Sequence, residues 1–280
     1  MQASTATDTR VTFLTPCFDD GATLRETVAS ARGYDGAEIV VVDDGSTDAG
    51  TVSALDELAA EGVLVLRQEH QGPAAARSRA LAAASAPYVF PLDADDLVIA
   101  DGVDELLGAL GGDEEAMFAW GDVEYFGESR RFQRCPDSLD PWLVTHVNPL
   151  PYASLIRRDA LVAIGGWSDV SGFEDWDIWM EFAERGWRGV HVARPVLRYR
   201  IHGDRRWRRN AQRHDEIHAE LARRHPALMA ARAENWRRSS APLGSRLLLP
   251  VVARLPLRSR AKVRLRSLVT DPVEMALRRR

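Results

Sequence analysis

The stretch Glu38-Ile39-Val40-Val41-Val42-Asp43, followed at once by Asp44-Gly45-Ser46-Thr47-Asp48, decides the fold. Its middle is apolar and β-branched, with no polar alternation. Such a run suits a strand covered on both faces, the position of an interior strand in a parallel sheet. The acid that closes it and the Asp/Gly/Ser turn behind it predict a chain reversal, with Ser46, Thr47 or Asp48 capping the next helix. Working outward, Val11–Thr15 is a β-rich run halted by Pro16, and Ala22–Arg32 carries Leu24, Val28 and Ala31 on one helical stripe. Downstream, Val63–Leu66 reads as a third short strand and Pro73–Ala84 as an Ala-rich helix opened by proline. Tyr88–Leu92 reads as a fourth strand that ends at Asp93. The order β-α-β-α-β-α-β predicts an α/β fold with three layers, α/β/α, around a mostly parallel central sheet.

Beyond residue 100 the pattern is less regular. Ala116–Tyr125 reads as a further strand, 127–150 as a loop-rich segment with several prolines, and Val190–Tyr199 as a strand interrupted at Pro195. Glu174–Arg185 is a predicted helix with Trp176, Trp179, Met180 and Ala183 at helical spacing. Arg208–Arg224 reads as a charged helix. A shift in composition near Trp236 sets the expected limits: a flexible 1–10, a main domain over 11–236, and a basic, apolar C-terminal helical extension over 237–280.

With 280 residues, 45% of them hydrophobic, the chain can bury one sizeable core, with or without a small appendage. A net charge of -5 argues against general affinity for nucleic acid. Cys17 and Cys135 are the only cysteines, too few for a disulfide framework or a Cys-rich metal site, and read as reduced thiols of a cytosolic protein. Met1–Arg10 lacks the apolar core of a signal peptide, and no apolar run approaches the roughly 20 residues needed to cross a bilayer. The expectation is a soluble or peripherally bound protein.

In open α/β sheets, ligands sit beyond the carboxyl ends of the strands. Three predicted strands deliver polar residues there: Thr15, Pro16, Phe18 and Asp19 from the first, Asp43 and Asp44 from the second, and Asp93, Asp95 and Asp96 from the fourth. Acids converging on one edge repel unless a cation or donor offsets them, and hard divalent cations prefer carboxylate oxygens. Against this stands a loop of solvated acids before the next helix. Asp43 suits a ribose hydroxyl or base N–H, or simply a turn beside Gly45. Arg77 suits a diphosphate or a bridging acid, or solvent. In Gly172-Phe-Glu-Asp-Trp-Asp177 the acids complement the dipole of a helix start, or supply a general base on a rigid helix. His202, in Tyr199-Arg-Ile-His202, is a metal or phosphate ligand or a plain loop histidine.

Taken together, Leu14-Thr-Pro-Cys-Phe-Asp-Asp20, Val41-Val-Asp-Asp-Gly-Ser-Thr-Asp48, Gln71-Gly-Pro-Ala-Ala-Ala-Arg77, Leu92-Asp-Ala-Asp-Asp96 and Phe173-Glu-Asp-Trp-Asp177 resemble the motifs of the inverting family 2 glycosyltransferases, with Tyr199–His202 similar to that family's closing segment. The resemblance runs in order from about Val11 to His202. It implies the GT-A (Rossmann-like) fold, with 11–100 as the nucleotide-binding half and 101–236 as the acceptor half. It implies transfer of a sugar from a nucleoside-diphosphate-sugar, a UDP-sugar first among them, to an acceptor hydroxyl, glycan or lipid-linked. Asp175 is then the catalytic base, with Glu174 beside it. Thr15, Pro16, Phe18, Asp20, Asp43, Arg77, Asp93 and Ala94 are the donor-binding set, and Asp95, Asp93 and His202 the ligands of a divalent metal, Mg or Mn. Two positions depart from the pattern: Asp19 and Ser78 stand where the family often has Asn.

A sugar nucleotidyltransferase would use a nucleotide, acids and a metal too, but needs a basic Gly-rich loop, and Lys is nearly absent here. An inactive nucleotide-sugar-binding protein is the other alternative, and intact Asp93, Asp95 and Asp175 argue against it. The tail mixes Leu247-Leu-Leu-Pro-Val-Val252 with Arg246, Arg254, Arg258, Arg260, Lys262, Arg264 and Arg266. That pattern fits an anionic membrane surface at the cytoplasmic face, or a helix packed on the protein with a solvated basic side.

Overall fold

The computed structural model describes residues 9–170, 172–202 and 213–270. The first half is strand β1 (Val11–Cys17), helix α1 (Gly21–Arg32), β2 (Ala37–Asp43), α2 (Ala49–Ala60), β3 (Leu64–Arg67), α3 (Pro73–Ala83) and β4 (Tyr88–Pro91). β3, β2, β1 and β4 lie in that order and pair in parallel, so their carboxyl ends share one edge. Val40, Val41 and Val42 are all fully buried, as an apolar run without alternation requires when both faces are covered. Ile39 and Val41 face the cluster built by Leu24 and Val28 of α1 with Leu55 and Leu58 of α2. The Ala-rich α3 packs on β1 and β2, where Ala76 and Ala80 allow close approach. Asp48 caps α2 by accepting from Thr51 N–H at 2.7 Å.

From here the sheet is mixed rather than parallel. β5 (Leu97–Val98), α4 (Ala100–Gly111), β6 (Ala116–Gly127), β7 (Arg131–Gln133), β8 (Leu155–Arg157), α5 (Arg158–Ala163) and β9 (Arg188–Ile201) complete it. β8 joins β4 to β6 antiparallel, β6 pairs with β9 in parallel, β5 closes antiparallel on β9, and β7 flanks β6. The predicted break at Pro195 is a register shift inside one continuous strand. Gly121 faces Val192 while the next residue, Asp122, faces Pro195. A bulge is where a strand tolerates a residue without an N–H.

These strands form a first compact unit, drawn from the segments ending at Ser138 and spanning Pro151–Ser171 and Arg188–His202. A second unit is helical, drawn from Leu139–Leu150, Gly172–Trp187 and the chain after Gly203. It contains a 3-10 turn (Leu143–Thr145), α6 (Glu174–Glu184), α7 (His214–Arg224), the short α8 (Pro226–Ala230) and α9 (Arg232–Arg238), α10 (Leu243–Arg254) and α11 (Ser259–Thr270). Its core holds Trp142, Ala241 and Leu249, with Trp236 and Val269 packed alongside. The buried Asp140 carboxylate ties this core together, accepting from the N–H groups of Trp142 and Leu143 at 2.9 Å and from Ser239 Oγ at 2.7 Å. Of the predicted helix Arg208–Arg224, residues 208–212 lie outside the described residues, as do 1–8 of the N-terminal segment and 271–280 of the tail.

Gly45 holds the turn after β2 at a φ of +80°, and a Cβ there would sit 2.9 Å from His70 N. Both the backbone sign and the neighbouring main chain oppose any side chain. Gly45→Ala is expected to cost roughly 1–3 kcal/mol; a urea-unfolding midpoint equal to that of the parent would contradict this.

Candidate functional site

β4 stops at Pro91, and Asp93–Asp96 turns back on itself, Asp96 N–H donating to Asp93 O at 3.1 Å. This turn, not the two-residue period of a strand, gathers the acids. One carboxylate oxygen each from Asp93, Asp95 and Asp96 lie within 4.8 Å of one another. Each is held in a different way. Asp93 is ion-paired with Arg77, a guanidinium only 5% exposed on α3. Asp95 Oδ2 lies 2.8 Å from His202 Nε2. Asp96, fully buried, accepts from the Tyr152 hydroxyl at 2.6 Å and from Arg200 N–H at 2.7 Å. The frame is cross-braced: Tyr152 Oη also accepts from Asp93 N–H, Arg200 Nε donates to Asp95 O, and the Arg77 guanidinium lies 5.8 Å over the Tyr152 ring.

Burial and then the charge of Asp93 raise the Asp95 carboxyl above its ordinary range. Burial, Asp95 and Asp93 raise Asp96 well above it. Protein donors already satisfy both oxygens of Asp96, which makes it an anchor. Asp93, Asp95 and the half-exposed His202 remain as a donor set of carboxylate oxygens and one imidazole nitrogen. That set fits a divalent cation such as Mg²⁺ or Mn²⁺, which would relieve the repulsion that raises Asp95.

The other strand ends carry a rigid polar rim. Thr15 on β1 is 1% exposed, and its Oγ1 has no hydrogen-bond partner among the described residues. Asp43 accepts from Ser46 N–H at 2.9 Å. Asp44, 2% exposed, gathers the loop that leads into α3: it accepts from the N–H groups of Gln71 and Gly72 at 2.9 and 2.8 Å and from the Gln68 amide at 2.7 Å. Asp19 has a φ of +56°, and its Oδ1 accepts from the N–H groups of Thr47 and Asp48. Asn and Asp both tolerate that backbone and both offer a side-chain oxygen, so the departure at this position leaves the loop's hydrogen bonding intact. Phe18, 40% exposed, lies 4.2 Å from the His70 ring, centroid to centroid. Pro16 is half-buried on β1, and Asp20 opens α1 with its carbonyl accepting from Thr23 and Leu24. Ala94 turns its methyl into the α1–α2 cluster while its carbonyl accepts from Thr27 Oγ1.

In the helical unit, the three acids that open α6 have separate environments. Asp177 accepts from His225 Nε2 at 2.9 Å and Arg224 Nε at 3.1 Å, a buried ion-pair network that also includes Glu184. Burial opposes the charged form of His225, but Asp177 and Glu184 outweigh it and raise its pKa. Glu174 is 6% exposed. Asp175 is half-buried and accepts from Asn148 Nδ2 at 2.8 Å. Trp176 donates to Val144 O at 2.7 Å, and Trp179 and Met180 are core, as their spacing implies. The sequence reading did not single out Tyr152, Arg200 or Asn148, whose roles come from partners 27 to 104 positions away.

The family profile described as Glycosyl transferase family 2 matches residues 12–172. The chain belongs to glycosyl transferase family 2. Its fold is the GT-A fold. By structure it is similar to TarS 1-349 of S. aureus in complex with UDP-GlcNAc, with a TM-score of 0.61 at 14% identity over 93% of this chain and 71% of that one. It is also similar to the mannosyltransferase PcManGT from Pyrobaculum calidifontis in complex with GDP-Man and Mn2+, with a TM-score of 0.58 at 20% identity over 96% and 86% of the two chains. In sequence it is 40% identical over 94 residues to the succinoglycan biosynthesis protein ExoU of Rhizobium meliloti (strain 1021), and 33% identical over 95 residues to the poly-beta-1,6-N-acetyl-D-glucosamine synthase of Staphylococcus aureus (strain COL). Each match covers 32% of this chain, and the chain spans 28% and 23% of the length of those relatives.

The raised carboxyls predict a pH signature. Folded Asp95 holds its proton at pH values where the unfolded chain has released it, so its contribution to stability falls as pH rises from about 4 toward its raised value. In EDTA, the stability of the parent relative to Asp95→Asn should therefore decline with pH across that window. Saturating Mn²⁺, which binds the ionised form, should reverse the trend. Urea-unfolding midpoints measured in steps of pH check this; a difference that grows with pH in EDTA would contradict it.

Proposed function

We propose that this chain is an inverting, metal-assisted glycosyltransferase that moves a sugar from a nucleoside-diphosphate-sugar to an acceptor hydroxyl. The observation that carries this reading is the braced carboxylate turn of Asp93, Asp95 and Asp96 beside Arg77 and His202. Residues 11–236 act as the catalytic domain, 11–100 holding the nucleotide and 101–236 the acceptor. Thr15, Pro16, Phe18, Asp20 and Asp43 receive the nucleoside, with the buried, unpaired Thr15 hydroxyl as a donor in waiting. Asp93, Ala94 and Arg77 flank the diphosphate. When bound, a divalent cation on Asp95, Asp93 and His202 supplies positive charge against the leaving diphosphate.

Asp175 takes the proton of the acceptor hydroxyl as that oxygen attacks the anomeric carbon. Asn148 fixes the carboxylate's direction through Oδ2, and Glu174 lies next to it in the chain. One displacement gives inversion. A UDP-sugar is the first donor to test, supported by the UDP-GlcNAc held by TarS; the GDP-Man and Mn2+ held by PcManGT keep a second base in view. The names of the sequence relatives support a role in polysaccharide synthesis at the cell envelope, with glycolipid or natural-product acceptors as further classes.

Asp95→Ala should lower turnover at least ~100-fold and abolish metal-dependent donor binding. Asp175→Asn should lower kcat by about 100-fold or more while leaving donor affinity within about twofold, because a base serves the acceptor. Steady-state rates and donor calorimetry over a panel of nucleotide sugars check both. Turnover that survives EDTA, or an Asp175→Asn enzyme with parental kcat, would remove the assignment.

The tail supports work at the cytoplasmic face of a membrane. No described helix is long and apolar enough to cross one. On α10, Ser245, Leu249 and Val252 are buried, while Leu243, Leu247, Leu248 and Val251 are 50–62% exposed. Arg254, Arg258, Arg260 and Arg264 are exposed as well, and no acid occurs between Glu234 and Asp271. An apolar stripe edged by arginines fits an anionic lipid surface. Leu247→Ser/Val251→Ser, which leaves the buried face intact, should release the protein from phosphatidylglycerol vesicles at low salt. Equal, negligible co-sedimentation of parent and variant would show the face to be merely solvated.

A further inference from the structure

Phe18, just past the end of β1, and His70, in the segment between β3 and α3, meet at the carboxyl edge of the sheet. Their ring centroids are 4.2 Å apart and their planes are inclined by 34°. Both rings keep a surface toward solvent, Phe18 with 40% of the residue exposed and His70 with 58% of its side chain. The main chain that carries them is nevertheless fixed. Gln68 N–H donates to Asp43 O at 2.9 Å, and Asp44 N–H donates to Cys17 O at 2.8 Å. The turn at Gly45 runs so close that a Cβ there would sit 2.9 Å from His70 N.

The same neighbours set the tautomer of the imidazole. His70 Nδ1 lies 3.0 Å from Asp44 Oδ2 and 3.1 Å from Asp44 O. Both are acceptors, so Nδ1 carries a proton. Asp44 is 2% exposed and is itself held by the N–H groups of Gln71 and Gly72 and by the Gln68 amide. A buried carboxylate therefore anchors the direction of an exposed ring, as outer carboxylates do for functional histidines elsewhere. A neutral imidazole with its proton on Nδ1 presents Nε2 as a hydrogen-bond acceptor.

We propose that His70 reads the nucleobase of the donor, its Nε2 accepting the ring N–H of an imide-type base that lies beside Phe18. This rests on the reading of the strand edge as the nucleoside pocket, and it narrows the donor class. Uracil and thymine carry N3–H and guanine carries N1–H, whereas cytosine and adenine have a lone pair at the corresponding ring position. A lone pair set against Nε2 leaves two acceptors facing each other without a proton, which a site built to accept an N–H rejects. Sugars carried on uridine, thymidine or guanosine diphosphate are then favoured over those on cytidine or adenosine diphosphate. The Asp43 carboxylate can favour the same bases, so the test measures the share that belongs to His70.

The test is calorimetric titration of the full chain in Mn²⁺ with UDP, CDP, GDP, ADP and pyrophosphate. The parent should prefer UDP to CDP, or GDP to ADP, by about tenfold or more. His70→Phe keeps an aromatic ring beside Phe18 and removes the acceptor, so it should narrow that preference by about tenfold while pyrophosphate binds as in the parent. His70→Ala should narrow it equally, and serves where the bulkier ring disturbs folding; unchanged pyrophosphate binding is the control for an intact site in either variant. A preference that survives both substitutions overturns the proposal. So does a loss of UDP and CDP affinity in equal measure, which is what a histidine that merely braces the loop would give. A parent that binds UDP and CDP alike, and GDP and ADP alike, overturns it too and leaves the nucleoside-diphosphate reading standing. A parent that binds pyrophosphate but none of the four nucleotides more tightly removes that reading and this one together.

Discussion

Three carboxylates turned toward one another at the end of β4 set the electrostatic problem around which the sheet unit is organised. Left alone, Asp93, Asp95 and Asp96 would repel one another and open the turn. The fold prevents this with fixed donors from far along the chain: Arg77 on α3 for Asp93, His202 for Asp95, and Tyr152 with the Arg200 N–H for Asp96. Among the described residues, protein donors reach both oxygens of Asp96. The frame therefore holds Asp93, Asp95 and the His202 imidazole in place as a donor set that fits a divalent cation.

The same device, a carboxylate used as an acceptor for backbone N–H groups, recurs wherever a loop must be rigid. Asp19 binds the turn after β2, Asp44 binds the approach to α3, and Asp140 closes the helical core over Ser239 and Ser240. Loops held in this way keep their geometry without apolar packing. Polar binding surfaces can then sit at the sheet edge beside a core that is apolar elsewhere.

The helical unit treats its charges differently. Asp177, Glu184, His225 and Arg224 balance one another inside it. Arg232 and Arg266 lie instead against the imidazoles of His146 and His214. Asp175 sits between these regimes, half-buried and steered by Asn148, and its direction is set by a segment that is far from it in sequence.

The run Glu38–Asp43 by itself determined the interior strand, because four consecutive apolar β-branched residues leave no face for water. The alternation around it determined the parallel half of the sheet. The residue types at the strand ends marked Asp43, Asp93 and Asp95 as candidates, since acids converging at one edge require compensation wherever they occur. Local pattern could not reach the antiparallel insertion of β8 between β4 and β6, or the bulge that carries Pro195 inside β9, because both are choices of partner rather than of conformation. Nor could it separate Asp177, tied inward to His225, from Asp175 two residues before it. Helix spacing assigns them different faces, but only the packed neighbours decide which face is core. The long-range donors Tyr152 and Arg200 were invisible for the same reason: a hydrogen bond between residues 56 or 104 positions apart leaves no periodicity in the sequence, and exists only once the chain has brought the two groups together.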